Sequence, residues 1–114
     1  MTNTPTRTIL RFNQACDRHD SAGALALLAE NVVFESTEPA PDGRRYTGKQ
    51  AVAEVLAPLI DAPGITIEVE ETFEAGDRVV QRTTYRWTDG HVRSADLFQI
   101  QGQLITEILS YVKG

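Results

Sequence analysis

Residues 74–114, EAGDRVVQRTTYRWTDGHVRSADLFQIQGQLITEILSYVKG, decide the fold. Ala75-Gly76-Asp77, Thr88-Asp89-Gly90 and Gln101-Gly102 are turn signals. Between them lie long runs rich in Val, Ile, Thr, Tyr, Phe and Trp, residue types that suit a pleated, half-buried surface. Glycine-containing turns between such runs predict three long antiparallel strands joined as hairpins. A sheet of that length has an apolar face to cover, and the N-terminal half carries the helical patterns that can cover it.

Working outward, residues 65–73 alternate Ile65, Ile67, Val69 and Phe73 with polar residues, which predicts a strand buried on one side. Before it, Thr47-Gly48-Lys49-Gln50 has capping-box spacing. The helix it opens places Val52, Val55, Leu56 and Leu59 on one stripe, with Pro58 expected to loosen the last turn. Glu38-Pro39-Ala40-Pro41-Asp42-Gly43 is a loop rich in breakers. Val32-Val33-Phe34-Glu35-Ser36-Thr37 reads as a strand with Val32, Phe34 and Ser36 on one face. Asp20 or Ser21 caps a short helix carrying Leu25 and Leu28 and ended by Asn31. Thr4 and Pro5 suit the N-cap and first position of a helix that sets Ile9, Phe12 and Cys16 on one face. The order α-α-β-α-β-β-β-β gives an α+β class. We expect a curved, mostly antiparallel sheet with three N-terminal helices forming a pocket, and residues 1–114 as a single domain.

The totals exclude several functions. A chain of 114 residues suits one core, and 41% hydrophobic content is ordinary for a soluble domain. A net charge of −5 argues against nucleic acid, whose phosphates are met by Lys and Arg. The single cysteine, Cys16, forms no intrachain disulfide, and with only His19 and His91 beside it no metal-ligand spacing exists. No cofactor motif is present. Met1-Thr2-Asn3-Thr4-Pro5 lacks a signal-peptide core, and no run reaches the ~18 apolar residues of a membrane span. A cytoplasmic protein with no membrane partner is expected.

Three motifs together carry a family resemblance. They are Thr47-Gly48-Lys49-Gln50-Ala51-Val52 opening a helix, Ala75-Gly76-Asp77-Arg78-Val79-Val80 opening a strand, and Asp96-Leu97-Phe98-Gln99-Ile100 followed by Gly102-Gln103-Leu104-Ile105-Thr106-Glu107-Ile108. In this order and spacing the chain resembles the SnoaL-like branch of the nuclear transport factor 2-like superfamily over nearly its whole length. The resemblance implies the cystatin-like, cone-shaped fold with a deep apolar pocket, commonly dimeric. That fold hosts ketosteroid isomerases, polyketide cyclases, epoxide hydrolases and non-catalytic modules, so it does not settle function.

In register with ketosteroid isomerases, Ser36 stands where the family carries its proton-shuttling aspartate, and an alcohol is no base near neutral pH. Phe12 stands where helix one would supply an oxyanion-hole tyrosine. Asp96 matches the third group, the aspartate whose raised pKa makes it a hydrogen-bond donor; that enzyme is a standard worked case of this effect. With Val92, Ser94, Phe98 and Ile100 on its face, Asp96 is expected as a carboxyl on an apolar wall, and the plainer reading is a structural acceptor. In the epoxide-hydrolase register the required Arg and Asp fall on Thr83 and Tyr85, and the final aspartate near Lys113. Neither standard activity is expected.

Among other carboxylates, Glu38 is the candidate base at the pocket mouth, or else a solvated loop residue. Glu107, read as sharing a face with Ile105, Leu109 and Tyr111, is a candidate base, or else a cross-strand partner of Arg or a dimer-interface contact. Gln81, Thr83, Tyr85 and Trp87 form one row of a strand, and Arg82, Thr84 and Arg86 the other. The first row is the candidate ligand wall, with Phe12, Phe34, Ser36, Tyr46, Phe98 and Tyr111 completing it; core packing is the competing reading. His91 reads as solvated at a hairpin tip, His19 as the polar end of a helix, and Cys16 as a small core residue. The resulting expectation is a homodimer that binds a small apolar molecule. It is an isomerase or cyclase using Asp96 and Glu38 for proton transfer on a carbonyl compound, or alternatively a non-catalytic binding or accessory protein.

Overall fold

The computed structural model describes residues 4–113. Residues 1–3 of the N-terminal segment, and residue 114, lie outside them. Helix α1 (Pro5–Asp17) starts as its sequence predicts, with the Thr4 side chain accepting from the Arg7 amide at 3.2 Å and Pro5 in the first turn. Its face of Ile9, Phe12, Ala15 and Cys16 is buried. Helix α2 (Ser21–Leu25) is capped by Asp20, whose carboxylate accepts from the Gly23 amide at 3.0 Å. It ends sooner than expected. Leu28 and Asn31 belong instead to strand β1 (Leu28–Ser36), a longer strand than residues 32–37 suggested.

A second correction follows the loop. Arg44-Arg45-Tyr46-Thr47 forms strand β2 (Arg44–Thr47), antiparallel to β1, so the described residues form six strands instead of the five expected. Helix α3 (Lys49–Asp61) is consequently not opened by a capping box: its N-cap is Gly48, at φ 95° and without a side-chain cap. The Gly48 amide instead donates to the Val32 carbonyl at 2.8 Å, tying the helix start to β1. Pro58 lies inside α3, which continues to Asp61. Ile60 is buried where Leu59 was expected, and Leu59 is 54% exposed.

Strands β3 (Thr66–Ala75), β4 (Arg78–Trp87), β5 (Gly90–Gln101) and β6 (Leu104–Lys113) run as consecutive antiparallel hairpins at the three predicted turns. Among the described residues the sheet order is β2-β1-β6-β5-β4-β3, with β1–β6 paired in parallel and the other neighbours antiparallel. The helices lie against one face, where Ile9, Leu28, Val32, Val52, Val79, Phe98, Ile105 and Ile108 form the core.

Two irregularities change which residues face that core. Strand β3 is an edge strand and almost wholly exposed, and its register shifts between Val69 and Glu71. The extra residue turns Phe73 to the outer face, opposite Val80, so the predicted row of Ile65, Ile67, Val69 and Phe73 is broken. In β6 the pairs Ile105↔Ile100 and Glu107↔Gln99 leave Thr106 unpaired. Ile105 therefore points into the core while Glu107, Leu109 and Tyr111 point outward, which corrects their expected common face.

The loop between β1 and β2 folds back tightly. Gly43 adopts φ 73° and donates its amide to the Pro39 carbonyl at 2.8 Å, and a Cβ there would lie 2.1 Å from the Ser36 carbonyl oxygen. Gly102, at φ 57°, has open space around it. Gly102→Ala should cost only the left-handed backbone term of about 1–2 kcal/mol. Gly43→Ala should cost more, because backbone must also move. Paired thermal melts check the difference, and equal losses at both sites would contradict it.

Candidate functional site

Between the helices and the sheet lies a cavity of about 330 Å³, at the lower end of the size usual for small-molecule sites. Phe12 and Cys16 of α1 form one wall, and Leu56, Leu59 and Ile60 of α3 another. The sheet supplies Phe34 and Ser36 from β1, Tyr85 and Trp87 from β4, Val92, Asp96 and Phe98 from β5, and Ile108, Ser110 and Val112 from β6. Glu38, Ile65 and Ile67 complete it. Leu59 and Trp87, 54% and 45% exposed, mark the mouth. Most of this lining is apolar, and its polar groups concentrate around Asp96.

Alternation along β5 carries Val92, Ser94, Asp96, Phe98 and Ile100 to one face, as predicted. Asp96 is 4% exposed. Its Oδ1 accepts from the Ser110 hydroxyl at 2.7 Å and its Oδ2 from the Ser94 hydroxyl at 3.2 Å. Burial pushes the Asp96 carboxyl above the ordinary carboxylate range, while the hydroxyls of Ser110, Ser94, Thr83 and Tyr85 pull the other way without cancelling it. The same burial, reinforced by Asp96, raises the Tyr85 phenol, which stays protonated. Thr83, 2% exposed, makes no hydrogen bond of good geometry with its hydroxyl.

The framework around this cluster is fixed from two sides. Asn13 and Gln81 exchange side-chain amide hydrogen bonds at 2.8 and 3.2 Å, clipping α1 to β4. Phe12 meets Phe98 edge to face, with ring centroids 6.0 Å apart. Burial pushes the Cys16 thiol up to about 12, so it lines the cavity as a neutral, apolar group.

Of the candidate residues, Asp96, Glu38, Phe12, Phe34, Ser36, Tyr85, Trp87 and Phe98 line one cavity. Three do not. Tyr46 stacks behind Phe34 at 5.8 Å, and Thr83 lies buried beside the cavity. Tyr111 is on the opposite sheet face, 54% exposed, because the Thr106 bulge sets the phase of β6. Glu107 is likewise outside and pairs with Arg78 at 3.0 Å. Glu38 is exposed, with its amide donating to Ser36 Oγ at 3.1 Å and a carboxylate oxygen accepting from the Ala40 amide at 3.2 Å. His91 is exposed, and His19 Nδ1 lies 3.0 Å from the Ile60 carbonyl oxygen. Among the described residues no group of His, Cys, Asp and Glu is placed to hold a metal ion, and no helix is long and apolar enough to cross a membrane.

Sequence reasoning missed Ser110 as the carboxyl's partner. An unbroken hairpin register from Gln101↔Leu104 would place Leu109 opposite Asp96, and only the bulge brings Ser110 there. Leu56, Ile60, Ile65, Ile67 and Val112 were legible as apolar residues but not as pocket lining.

No curated protein matches the chain in sequence. Among solved structures, an NTF2-like protein of unknown function from Mesorhizobium loti is 40% identical, with a TM-score of 0.88 over 96% of this chain and 91% of that one. RV0760c from Mycobacterium tuberculosis, solved in complex with estradiol-17beta-hemisuccinate, is 26% identical, with a TM-score of 0.78 over 95% of this chain and 93% of that one. A steroid delta-isomerase from Pseudomonas aeruginosa, at 17% identity and a TM-score of 0.80 over 100% and 82%, shares the fold. The SnoaL-like domain family matches residues 9–108, spanning both the helices and the hairpins that build the cavity, and the chain belongs to that family.

Proposed function

We propose that the chain binds a small apolar molecule carrying a carbonyl or phenolic oxygen, with that oxygen seated at the Asp96 end of the cavity. The observation that carries this reading is one buried carboxyl, bonded by two serine hydroxyls, in the wall of a mostly apolar cavity. Burial raises this carboxyl, so it holds its proton to higher pH than an exposed one, and the protonated form favours acceptor oxygens. The RV0760c complex with estradiol-17beta-hemisuccinate supports a ligand of this apolar, oxygen-bearing kind.

A second reading, proton transfer by an isomerase or cyclase, is favoured by Glu38 lining the same cavity as Asp96. In it Glu38 is the base and Asp96 the donor to the developing enolate. Ser36 and Phe12 weigh against the ketosteroid chemistry, since general-base catalysis alone contributes about 10²–10⁴-fold.

The working unit in this proposal is a homodimer joined through the outer sheet face. That face carries Arg82, Thr84 and Arg86 beside Glu68, Glu70 and Glu71, together with Phe73 and Tyr111, 56% and 54% exposed. Arg86 pairs with Glu68 at 2.9 Å, and Arg82 with Glu71 at 2.5 Å and Glu70 at 3.5 Å. With both charge signs on one face, a second copy can set opposite charges against it, as a two-fold interface requires. Sedimentation at micromolar concentration should give a dimer, and a monomer would remove this part of the proposal.

Two measurements address the cavity. Wild-type protein should bind 2-acetylnaphthalene about tenfold more tightly than 2-ethylnaphthalene, the gain of one net hydrogen bond. Asp96→Ala should lose most of that preference while retaining hydrocarbon affinity; equal wild-type affinities would end the reading. The folded state also holds the Asp96 proton more tightly than the unfolded chain. The stability this contributes is therefore present at low pH and lost as pH rises from the ordinary value of about 4 through the raised one. Asp96→Asn should gain on the wild type across that window in thermal melts, and a pH-independent difference would show that Asp96 is not shifted upward.

A further inference from the structure

The two oxygens of Asp96 are both engaged within the wall, and their partners differ in where they face. Ser94 is 7% exposed and is not part of the cavity lining. Ser110 is half-buried and lines the cavity. It also makes the shorter bond, 2.7 Å against 3.2 Å. A hydroxyl carries one proton and two lone pairs, so its role reverses with that of its partner. While Asp96 is ionised, Ser110 spends its proton on Oδ1. When Oδ1 carries a proton, Ser110 Oγ accepts it, and the serine proton is free to turn toward the cavity.

We propose that Ser110 is the residue that hydrogen-bonds the ligand oxygen, with Asp96 acting through it as a positioning residue. This rests on the reading of the cavity as a site for an apolar carbonyl or phenolic ligand, and it assigns the specificity of that site to a residue on β6. The strand register supports the placement. Ser110 stands between Asp96 on β5 and Ser36 on β1, so it occupies the middle of a polar row crossing the cavity wall. Ser36, at the β1 end of that row, accepts the Glu38 amide. Other titratable lining groups are Cys16 of α1, Glu38 of the loop after β1 and Tyr85 of β4; the lining residues of α3, β3 and β6 include none. Of these, Cys16 and Tyr85 are both raised and stay protonated.

The test measures the affinities of 2-acetylnaphthalene and 2-ethylnaphthalene, by calorimetry, for wild type, Ser110→Ala and Ser110→Thr. Ser110→Ala should reduce the roughly tenfold ketone preference to near unity, with hydrocarbon affinity changed by less than about twofold. Ser110→Thr, which keeps the hydroxyl, should restore it. Removing Ser110 also removes a donor to the ionised carboxyl, so the Asp96 titration followed by carboxyl-carbon NMR should move upward in Ser110→Ala and return in Ser110→Thr. A ketone preference that survives Ser110→Ala overturns this inference and leaves the binding site intact, because Asp96 would then donate directly. Equal wild-type affinity for the two ligands overturns the function proposal together with this one.

Discussion

The unpaired Thr106 controls the relation between the two faces of the sheet. Its hydroxyl donates to the Gln99 carbonyl at 3.2 Å, which gives that carbonyl a partner where the ladder is interrupted. The single extra residue reverses the phase of β6, because strand side chains alternate with a period of two. Ile105 and Ile108 can then both be buried, at 0% and 4% exposure, although they are three residues apart. Beyond the bulge the same shift presents Ser110 to Asp96 and sends Leu109 and Tyr111 outward. Without it, a leucine would stand opposite a buried carboxyl.

That pairing matters because a buried ionised carboxylate is costly unless it is hydrogen-bonded. Two serines bond Asp96 directly, with Thr83 and Tyr85 close by, and all of them are neutral. Hydroxyls can serve the carboxyl in either protonation state, whereas an arginine would commit it to the charged form. The site therefore keeps a protonatable group in an apolar wall. The Asn13–Gln81 clip and the Phe12–Phe98 contact hold α1 over it, so the cavity is bounded by packed, hydrogen-bonded elements.

The two faces of the sheet are chemically distinct. The inner face is largely apolar with one polar cluster, and the outer face carries paired charges beside exposed Phe73 and Tyr111. Thr84 is fully buried on that outer face and donates to Glu70, whose carboxyl is held below its usual value chiefly by this bond. The long Glu and Arg side chains of β3, β4 and β5 thus shield the strand beneath them even in one chain. Strand β3, with its row of carboxylates, forms the edge, where charge discourages uncontrolled pairing.

Local chemistry in the sequence determined the elements themselves. Turn residues at Gly76, Asp89-Gly90 and Gly102 delimit the hairpins, Thr4-Pro5 starts α1, and simple alternation on β5 is enough to place Asp96 among Val92, Phe98 and Ile100. The row of Tyr85 and Trp87 was legible for the same reason. What the tertiary structure alone decided was phase and boundary. Arg44–Thr47 becomes a strand because β1 offers an edge to pair with, and Gly48 replaces a side-chain cap because the Val32 carbonyl is within reach of its amide. Phe73 and Tyr111 face outward, and Ser110 meets Asp96, because bulges in β3 and β6 each add one residue. Periodicity in a sequence records which residues can share a face, but a one-residue insertion in a ladder is chosen by cross-strand packing, and that depends on strands that the local sequence does not contain.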